Sequence, residues 1–345
     1  MSKKGEKETK IGDRYENQRK ALGIKSTSYV LFGSDWTESD HESSLLNEVE
    51  LECAKKILSA LKDEERDLVD MYVLITVIRG YDRAKDSFNE MVKAVIAISS
   101  WNASKGGFEK EDSDLLPAKG VETVLRDRSY AKGLADLTKI MGHEKFYGMD
   151  KKNHPIFASR LADVNCKKLS ELMEGPVEGV RTLARLRILM NEMSRVVKRR
   201  ISTKSKKYVQ KQVNIIDLKG FGMSHYRVKN ALQATTRIGE AYYPDSVHRV
   251  YLVNTPFIFR AFFAIVKRFL HPITQSKIMC LSGVKSAAKK MKELDGIELS
   301  DLPKWMGGTN EGRCLVEMSL KEISDYESRD SSTSSNGTTT TKEDE

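Results

Sequence analysis

The chain has 345 residues, of which 39% are hydrophobic and 31% charged, and its formal net charge is +9. This length and composition predict a soluble globular protein with a sizeable core in two or three domains. No window is apolar enough over sufficient length to cross a membrane, and the first residues lack the apolar segment of a secretory signal.

The cysteines and histidines predict no metal site and no disulfide framework. Four cysteines, Cys53, Cys166, Cys280 and Cys314, stand far apart in the sequence. The six histidines are scattered and form no ligand pair with a familiar spacing. This pattern favours reduced thiols in a cytoplasmic protein.

The N-terminal third of the chain is expected to be helical. Residues 1–40 are polar and predict a flexible N-terminal arm. Within residues 41–130, apolar side chains recur at intervals of three and four from Ser44 onward, which predicts a helical module. Gly106 and Gly107 interrupt this pattern, and residues 102–130 have the composition of an insertion.

The middle of the chain predicts a parallel α/β sheet. A short strand at Pro155–Phe157 precedes an amphipathic helix at Thr182–Val197. Three apolar, β-branched runs then alternate with two helix-compatible segments, and the runs are Val213–Leu218, His248–Asn254 and Ser276–Leu281. Strands that alternate with helices of this length indicate βαβ units.

The most apolar helix is predicted between Pro256 and Leu270, where Pro256 suits a first turn and Pro272 follows the end. A helical projection puts seven side chains on one broad apolar face: Phe257, Ile258, Ala261, Phe262, Ile265, Val266 and Phe269. Phe259, Phe263 and Leu270 extend this surface. The pattern alone leaves open a buried core helix or a helix that faces an apolar substance other than protein.

The basic run Arg195–Lys207 also has two interpretations. It is either a solvated surface or a patch that faces an anionic membrane, where each Lys or Arg contributes on the order of 1 kcal/mol. Nucleic acid is disfavoured because no zinc finger or RNP-like aromatic motif is present. Residues 311–345 form a C-terminal segment whose Ser/Thr-rich tail is predicted to be disordered.

No catalytic constellation is evident in the sequence. Gly220 and Gly222 lack the third glycine of a dinucleotide-binding turn, and neither a phosphate loop nor a nucleophile elbow occurs. Asp217, at the end of a strand, is expected to accept hydrogen bonds from nearby backbone donors. The chain is therefore predicted not to be an enzyme.

Several motifs in order resemble the CRAL-TRIO family, and within it the phosphatidylinositol-transfer, or Sec-fourteen-like, branch. The matching stretches are Ile215–Gly220, Tyr242–Asp245, Val253–Phe257, Phe269–Ile278, Leu302–Pro303 and Gly307–Gly308. His154–Phe157 resembles the family's early strand, and Val77–Asp82 the end of its helical N-terminal module. The resemblance implies a mostly parallel sheet that floors a hydrophobic lipid cavity in residues 140–310, closed by a gate helix at Pro256–Leu270.

The resemblance also implies two sets of headgroup positions. For phosphatidylinositol, Thr274 and Lys277 match the phosphate-binding pair, Arg79 matches an arginine of the N-terminal module, and Asp245 stands where the family has a glutamate that contacts inositol. For phosphatidylcholine, the family's small hydroxyl residues and paired tyrosines fall at Gln212, Asn214, Phe146, Tyr147 and Phe157. The missing hydroxyls disfavour phosphatidylcholine as the second ligand.

The function that this resemblance implies is non-enzymatic lipid exchange. The expected ligand is phosphatidylinositol, with no cofactor or metal, and the expected partners are a membrane surface and phosphatidylinositol kinases. The protein is then a monomer in the cytoplasm that binds membranes peripherally. Two alternatives remain open: a carrier of a sterol, retinoid or tocopherol, and an interaction module that uses lipid only as a structural filler.

Overall fold

The computed structural model describes residues 11–25, 43–81, 88–104, 137–142, 144–174 and 177–315. Its strands are β1 (Lys145–Met149), β2 (Pro155–Arg160), β3 (Gln212–Asp217), β4 (Val247–Val253), β5 (Ile278–Cys280) and β6 (Arg313–Cys314). They form one sheet in the order β5-β4-β3-β2-β1-β6. Strands β2 to β5 are parallel, whereas β1 is antiparallel to both of its neighbours. The predicted mostly parallel sheet is therefore confirmed.

The N-terminal helices pack around an apolar cluster of their own. They are α1 (Ile11–Ala21), α2 (Glu48–Ala60), α3 (Asp63–Arg66), α4 (Met71–Gly80) and α5 (Phe88–Ser104). Helix α2 begins at a capping box, in which the Asn47 side chain accepts from the Glu50 N–H and the Glu50 carboxylate accepts from the Asn47 N–H.

The prediction of a flexible arm over residues 1–40 is wrong for helix α1. Its Ile11 and Tyr15 side chains are buried against the N-terminal cluster, and this burial stabilises a helix whose other residues are mostly polar. The rest of the predicted arm, at 1–10 and 26–42, lies outside the described residues. So do 105–130 of the predicted insertion and 316–345, which include the Ser/Thr-rich tail.

Helices connect the parallel strands and cover both faces of the sheet. They are α6 (Cys166–Glu174), α7 (Val177–Ser205), α8 (Lys229–Tyr242), α9 (Phe259–Val266), α10 (Pro272–Ser276) and α11 (Val284–Asp295). Val213 and Ile215 of β3 pack with Ala287 and Met291 of α11 on one face. Alternate β3 residues face the opposite side, as the strand period of two requires. Across the described ranges, no helix has the length and apolarity needed to span a membrane.

Part of the basic run Arg195–Lys207 points inward, because α7 continues to Ser205 and turns these residues toward its packed side. Arg195 donates to Glu192 Oε1 at 2.7 Å, and its guanidinium lies 4.9 Å from the Tyr72 ring. Lys198 is also buried. The expectation of a continuous solvated or membrane-facing patch is therefore wrong at these two positions. The side chains of Arg199 and Arg200 are outside the described set.

Candidate functional site

A cavity of about 850 Å³ lies on the face of the sheet opposite α11. This volume falls in the upper part of the roughly 300–1,000 Å³ range of small-molecule sites. Side chains from β3, β4, β5 and the helical layer form its apolar wall: Leu161, Ile216, Leu218, Phe221, Val250, Leu252, Phe259, Phe262, Phe263, Val266, Phe269 and Ile278. A cavity of this kind binds the apolar part of a ligand by removing it from water.

Helix α9 presents apolar side chains in two directions. Phe259, Phe262, Phe263 and Val266 face the cavity, and Phe221 packs against the first two rings at centroid distances of 5.2 and 5.0 Å. Phe257, just before the helix, is 82% exposed. The outer surface is therefore apolar as well.

The structure divides the seven predicted residues of the gate helix between the cavity and other surroundings. Of the seven predicted residues, Phe262, Val266 and Phe269 line the cavity, whereas Phe257, Ile258, Ala261 and Ile265 are not among the lining residues. The regular helix covers only Phe259–Val266 and is followed by a 3-10 turn at Lys267–Phe269. Because apolar residues surround this helix, a projection of the sequence does not distinguish its inner side from its outer side.

Three of the four predicted phosphatidylinositol-headgroup residues meet at one end of the cavity. Lys277 Nζ donates to Asp245 Oδ1 at 3.1 Å, and Lys211 contacts the other Asp245 oxygen at 3.3 Å. Thr274 lies on the five-residue helix α10, which begins with Pro272 and ends next to Lys277. All three predicted residues line the cavity.

Glu240 completes this polar cluster and was not predicted. Its Oε2 accepts from the His271 N–H at 3.0 Å and from the Thr274 hydroxyl at 3.3 Å. Burial raises the pKa of the Glu240 carboxyl, although the hydrogen bonds from His271 and Thr274 oppose that shift. One signal was present in the sequence: an acid near the end of a helix opposes the helix dipole and needs a tertiary partner.

Gly80 explains how Asp245 reaches the cavity. A Cβ at Gly80 would lie 2.8 Å from Pro244 Cβ and 3.1 Å from the Asp245 nitrogen, so any larger residue would push this turn away. Asp245 itself has a φ of +52°, in the left-handed region. The glycine at the end of α4 thus permits close contact with the turn that carries the carboxylate.

Arg79, the fourth predicted headgroup residue, does not line the larger cavity. Its Nε and Nη2 donate to the two Glu50 oxygens, both at 3.0 Å. Nη1 donates to the Ser43 carbonyl, and Nη2 also donates to the Leu45 carbonyl at 2.9 Å. Arg79 instead borders a separate polar pocket of about 420 Å³, which it shares with Lys211 and Asp245. Its donors hold α2, α4 and the preceding loop together.

The five predicted second-lipid positions are also divided. Gln212 and Asn214 line the cavity, whereas Phe146, Tyr147 and Phe157 do not. Phe146 and Phe157 pack ring to ring at 5.9 Å in the core beneath α7. Tyr147 is buried on the α11 side of the sheet. The structure therefore does not bring these aromatic rings together with the two amides.

Two polar groups outside the cavity have structural partners. Asp217 Oδ1 accepts from the Lys219 N–H at 3.0 Å and from Asn254 Nδ2 at 2.7 Å, which closes the turn after β3. Asp150, His154 and His248 bring possible metal-ligand atoms within 4.8 Å of one another. However, the two imidazoles are stacked, with centroids 4.2 Å apart and planes inclined by 25°. Because imidazole lone pairs lie in the ring plane, this arrangement does not direct both rings at one ion.

A family model and several curated proteins are similar in sequence to this chain. The family model described as the CRAL/TRIO domain matches residues 141–308. The phosphatidylinositol/phosphatidylcholine transfer protein SFH7 of Arabidopsis thaliana is 26% identical over 60% of this chain and 39% of its own length. The SEC14 cytosolic factor of Yarrowia lipolytica is 30% identical over 58% of this chain and 39% of its own length.

A CRAL-TRIO domain-containing protein of Saccharomyces cerevisiae is 27% identical over 55% of this chain and 61% of its own length. The matched stretch thus spans less than two thirds of each of these three relatives.

Proposed function

We propose that the chain is a phosphatidylinositol-binding lipid transfer protein of the CRAL-TRIO family, in its Sec-fourteen-like branch. The observation that carries the proposal is the combination of an apolar cavity wall with Asp245, Thr274 and Lys277 at one end of the same cavity. Hydroxyl and ammonium donors suit a phosphodiester, and a carboxylate suits the hydroxyl groups of inositol.

A bound headgroup would replace some of the hydrogen bonds that the residues of this cluster make with one another. Its phosphate accepts from Lys277 and Thr274, and its inositol hydroxyls donate to Asp245. When Lys277 turns to the phosphate, Lys211 still pairs with Asp245 at 3.3 Å. Glu240 holds Thr274 and the backbone of His271 in position from behind.

The apolar wall makes exchange possible because it replaces the bilayer. Two acyl chains with about 30 methylenes would cost roughly 24 kcal/mol if exposed to water, at about 0.8 kcal/mol each. A membrane and the cavity both avoid this cost, so chain burial nearly cancels between them. The polar contacts then select the lipid.

The proposal extends to the setting in which this exchange takes place. The protein acts without catalysis, in the cytoplasm and as a monomer, and binds membranes transiently through the exposed side of α9. It moves phosphatidylinositol between membranes or presents it to phosphatidylinositol kinases. Residues 41–130 serve as the helical module and 140–310 as the lipid-binding domain.

Two lysines that share Asp245 provide a matched test. Lys277 lines the cavity, whereas Lys211 contacts the same carboxylate from the neighbouring polar pocket. Lys277→Ala removes a charge-assisted contact to phosphate, so we expect transfer of phosphatidylinositol between vesicles to fall about tenfold or more. Lys211→Ala should retain most of the transfer.

Thermal unfolding of both variants checks that each remains folded. Equal transfer by wild type and Lys277→Ala would refute the assignment of this headgroup site. Stable retention of a sterol, retinoid or tocopherol, without uptake of phosphatidylinositol, would support the cavity as the ligand site but refute phosphatidylinositol as its ligand.

A further inference from the structure

Several polar side chains that line the cavity are not used by the proposed phosphatidylinositol site, and Arg187, Asn191 and Asn214 are three of them. Arg187 and Asn191 project from successive turns of α7, and Asn214 lies on β3. We call this set the inner polar wall. It places a guanidinium and two amides in a cavity that is otherwise largely apolar.

The inner polar wall contains buried donors whose hydrogen bonds are unmade. Arg187 Nε and Asn191 Nδ2 are buried, and neither has a hydrogen-bond partner among the described residues. Such groups are rare in folded proteins because each loses its water without compensation. Both donors belong to residues that line the cavity, so a ligand placed there can supply the missing acceptor.

A short chain of hydrogen bonds fixes the orientation of the third member. The Ser194 hydroxyl donates to Gln212 Oε1, and Gln212 Nε2 donates to Asn214 Oδ1 at 2.9 Å. The oxygen of the Asn214 amide therefore accepts from Gln212, and its Nδ2 is the group that remains available to donate to a ligand in the cavity. The three members thus offer N–H groups in the same cavity.

Arg187 gives this wall a positive charge. Glu144 interacts with it electrostatically, but no ion pair within 4.0 Å joins the two side chains in the described part of the chain. Burial raises the pKa of the Glu144 carboxyl, and Arg187 only partly opposes this shift. The guanidinium lies beside α8, where a Cβ on Gly239 would be 3.9 Å from Arg187 Nη2.

We infer that the inner polar wall binds the oxyanion of a lipid that has no cationic headgroup, and that it selects against choline lipids. Two sources share this chemistry: the carboxylate of a free fatty acid and the phosphate monoester of phosphatidic acid. A guanidinium and amide N–H groups donate to both. The inference rests on the proposed function only in that a lipid occupies the cavity.

The same wall lacks what a choline group requires. A quaternary ammonium has no N–H to donate and is recognised by aromatic faces. Phe146, Tyr147 and Phe157, the aromatic residues at the family's choline positions, are packed away from the cavity. Arg187 would moreover repel the ammonium charge.

The test measures lipid that co-elutes with the full chain after incubation with vesicles. Separate vesicles carry oleate, phosphatidic acid, phosphatidylcholine or phosphatidylinositol, and mass spectrometry measures the lipid in the protein fraction. Wild type should take up oleate or phosphatidic acid in at least tenfold excess over phosphatidylcholine. Arg187→Gln should lower this uptake about tenfold or more, because a charge-assisted hydrogen bond is lost.

Two further variants complete the design. Asn191→Leu should lower the same uptake with the wall charge unchanged. Arg185→Gln, on the same helix at a position that does not line the cavity, should leave it unchanged. A loss confined to oleate, or to phosphatidic acid, supports the inference and identifies the oxyanion.

Three results would overturn the inference: equal uptake by Arg187→Gln and wild type, an equal loss in Arg185→Gln, or a matching loss of phosphatidylinositol. The last would make the wall part of the phosphatidylinositol site. Conversely, Arg187-dependent uptake of an anionic lipid, together with no phosphatidylinositol uptake, would refute the proposed function and leave this inference intact.

Discussion

At the scale of single residues, Glu50 and Arg79 connect three segments of the N-terminal module. The Glu50 carboxylate caps α2 through the Asn47 N–H at 3.0 Å and pairs with Arg79 of α4 at the same distance. The two side chains are only 8% and 19% exposed. An arginine that the sequence pattern assigns to a ligand is therefore bound to protein groups through all its nitrogens.

Replacement of Arg79 by methionine distinguishes a structural role, as the partner of Glu50, from a role as a headgroup ligand. It leaves the Glu50 charge buried without its partner, and we expect the free energy of unfolding to fall by about 3–5 kcal/mol. Urea unfolding measures this change, and Glu50→Gln should weaken the protein through the same contact. Phosphatidylinositol uptake by the fraction that remains folded should stay close to wild type. Unchanged stability with lost uptake would instead make Arg79 a headgroup ligand.

The Glu240 cluster shows why motif matching finds only part of a polar site. Thr274, Lys277 and Asp245 occur in recognisable strings, so the sequence predicted them together. Glu240 meets the His271 N–H and Thr274 only after α8 and α10 have packed, across 31 and 34 positions of the chain. Arg187 was missed because a polar side chain that faces a cavity has the same helical pattern as one that faces water.

At the scale of elements, α9 carries apolar surface toward both the cavity and the exterior. The inner rings of Phe259 and Phe262 are buried, whereas Phe257 is 82% and Ile258 39% exposed. Arg260, next to these residues, stacks on the Phe257 ring at 5.1 Å. Exposed aromatic and aliphatic groups next to a cation suit the interface of an anionic membrane.

Because α9 is apolar on both sides, we expect substitutions on its outer side to affect membrane docking and substitutions on its inner side to affect uptake of lipid into the cavity. Phe257→Ser removes an exposed ring, so transfer between anionic vesicles should fall about tenfold or more, because one buried Phe contributes roughly 1.5–3 kcal/mol. Uptake of detergent-dispersed phosphatidylinositol should remain near wild type. Phe262→Ser should reduce both activities.

Val49→Ser is the control for lost apolar surface, since Val49 is 67% exposed on α2. It should transfer lipid as wild type does. A Phe257→Ser variant with normal vesicle transfer would exclude this side of α9 as the docking surface.

The more regular the apolar pattern of a strand or helix, the more accurately the sequence predicted its position. Strands β3 and β4 carry clusters of β-branched and other apolar residues and were located to within a few residues. The strands β1 and β6 were not, because β1 is interrupted by Gly148 and β6 has only two residues. Helix α1 was missed for a different reason: its burial depends on apolar residues that the rest of the N-terminal module supplies.

At the scale of the whole molecule, a buried polar network joins the sheet to α11 on the side away from the cavity. The Asp295 carboxylate accepts from Tyr251 at 2.5 Å and from Arg249 at 3.0 Å, and contacts His248 Nε2 at 3.2 Å. His248 in turn stacks on His154, which bonds Asp150 at 2.8 Å. Burial raises the pKa of Asp295, but its His248, Tyr251 and Arg249 contacts outweigh burial and set the pKa at about 2, against 3.8 ordinarily.

This network predicts how global stability depends on acid. Because the pKa of Asp295 is lower in the folded protein, its contribution is present above about pH 4 and is lost as the pH falls through about 2. The difference between the two pKa values corresponds to about 2 kcal/mol of unfolding free energy. Urea unfolding between pH 5 and 2 should show a shallower decline for Asp295→Asn than for wild type. Glu293→Gln, an exposed acid on the same helix, should retain the wild-type slope. Equal slopes for wild type and Asp295→Asn would mean that other carboxylates control acid unfolding, and that this network fixes the position of α11 without governing the response to pH.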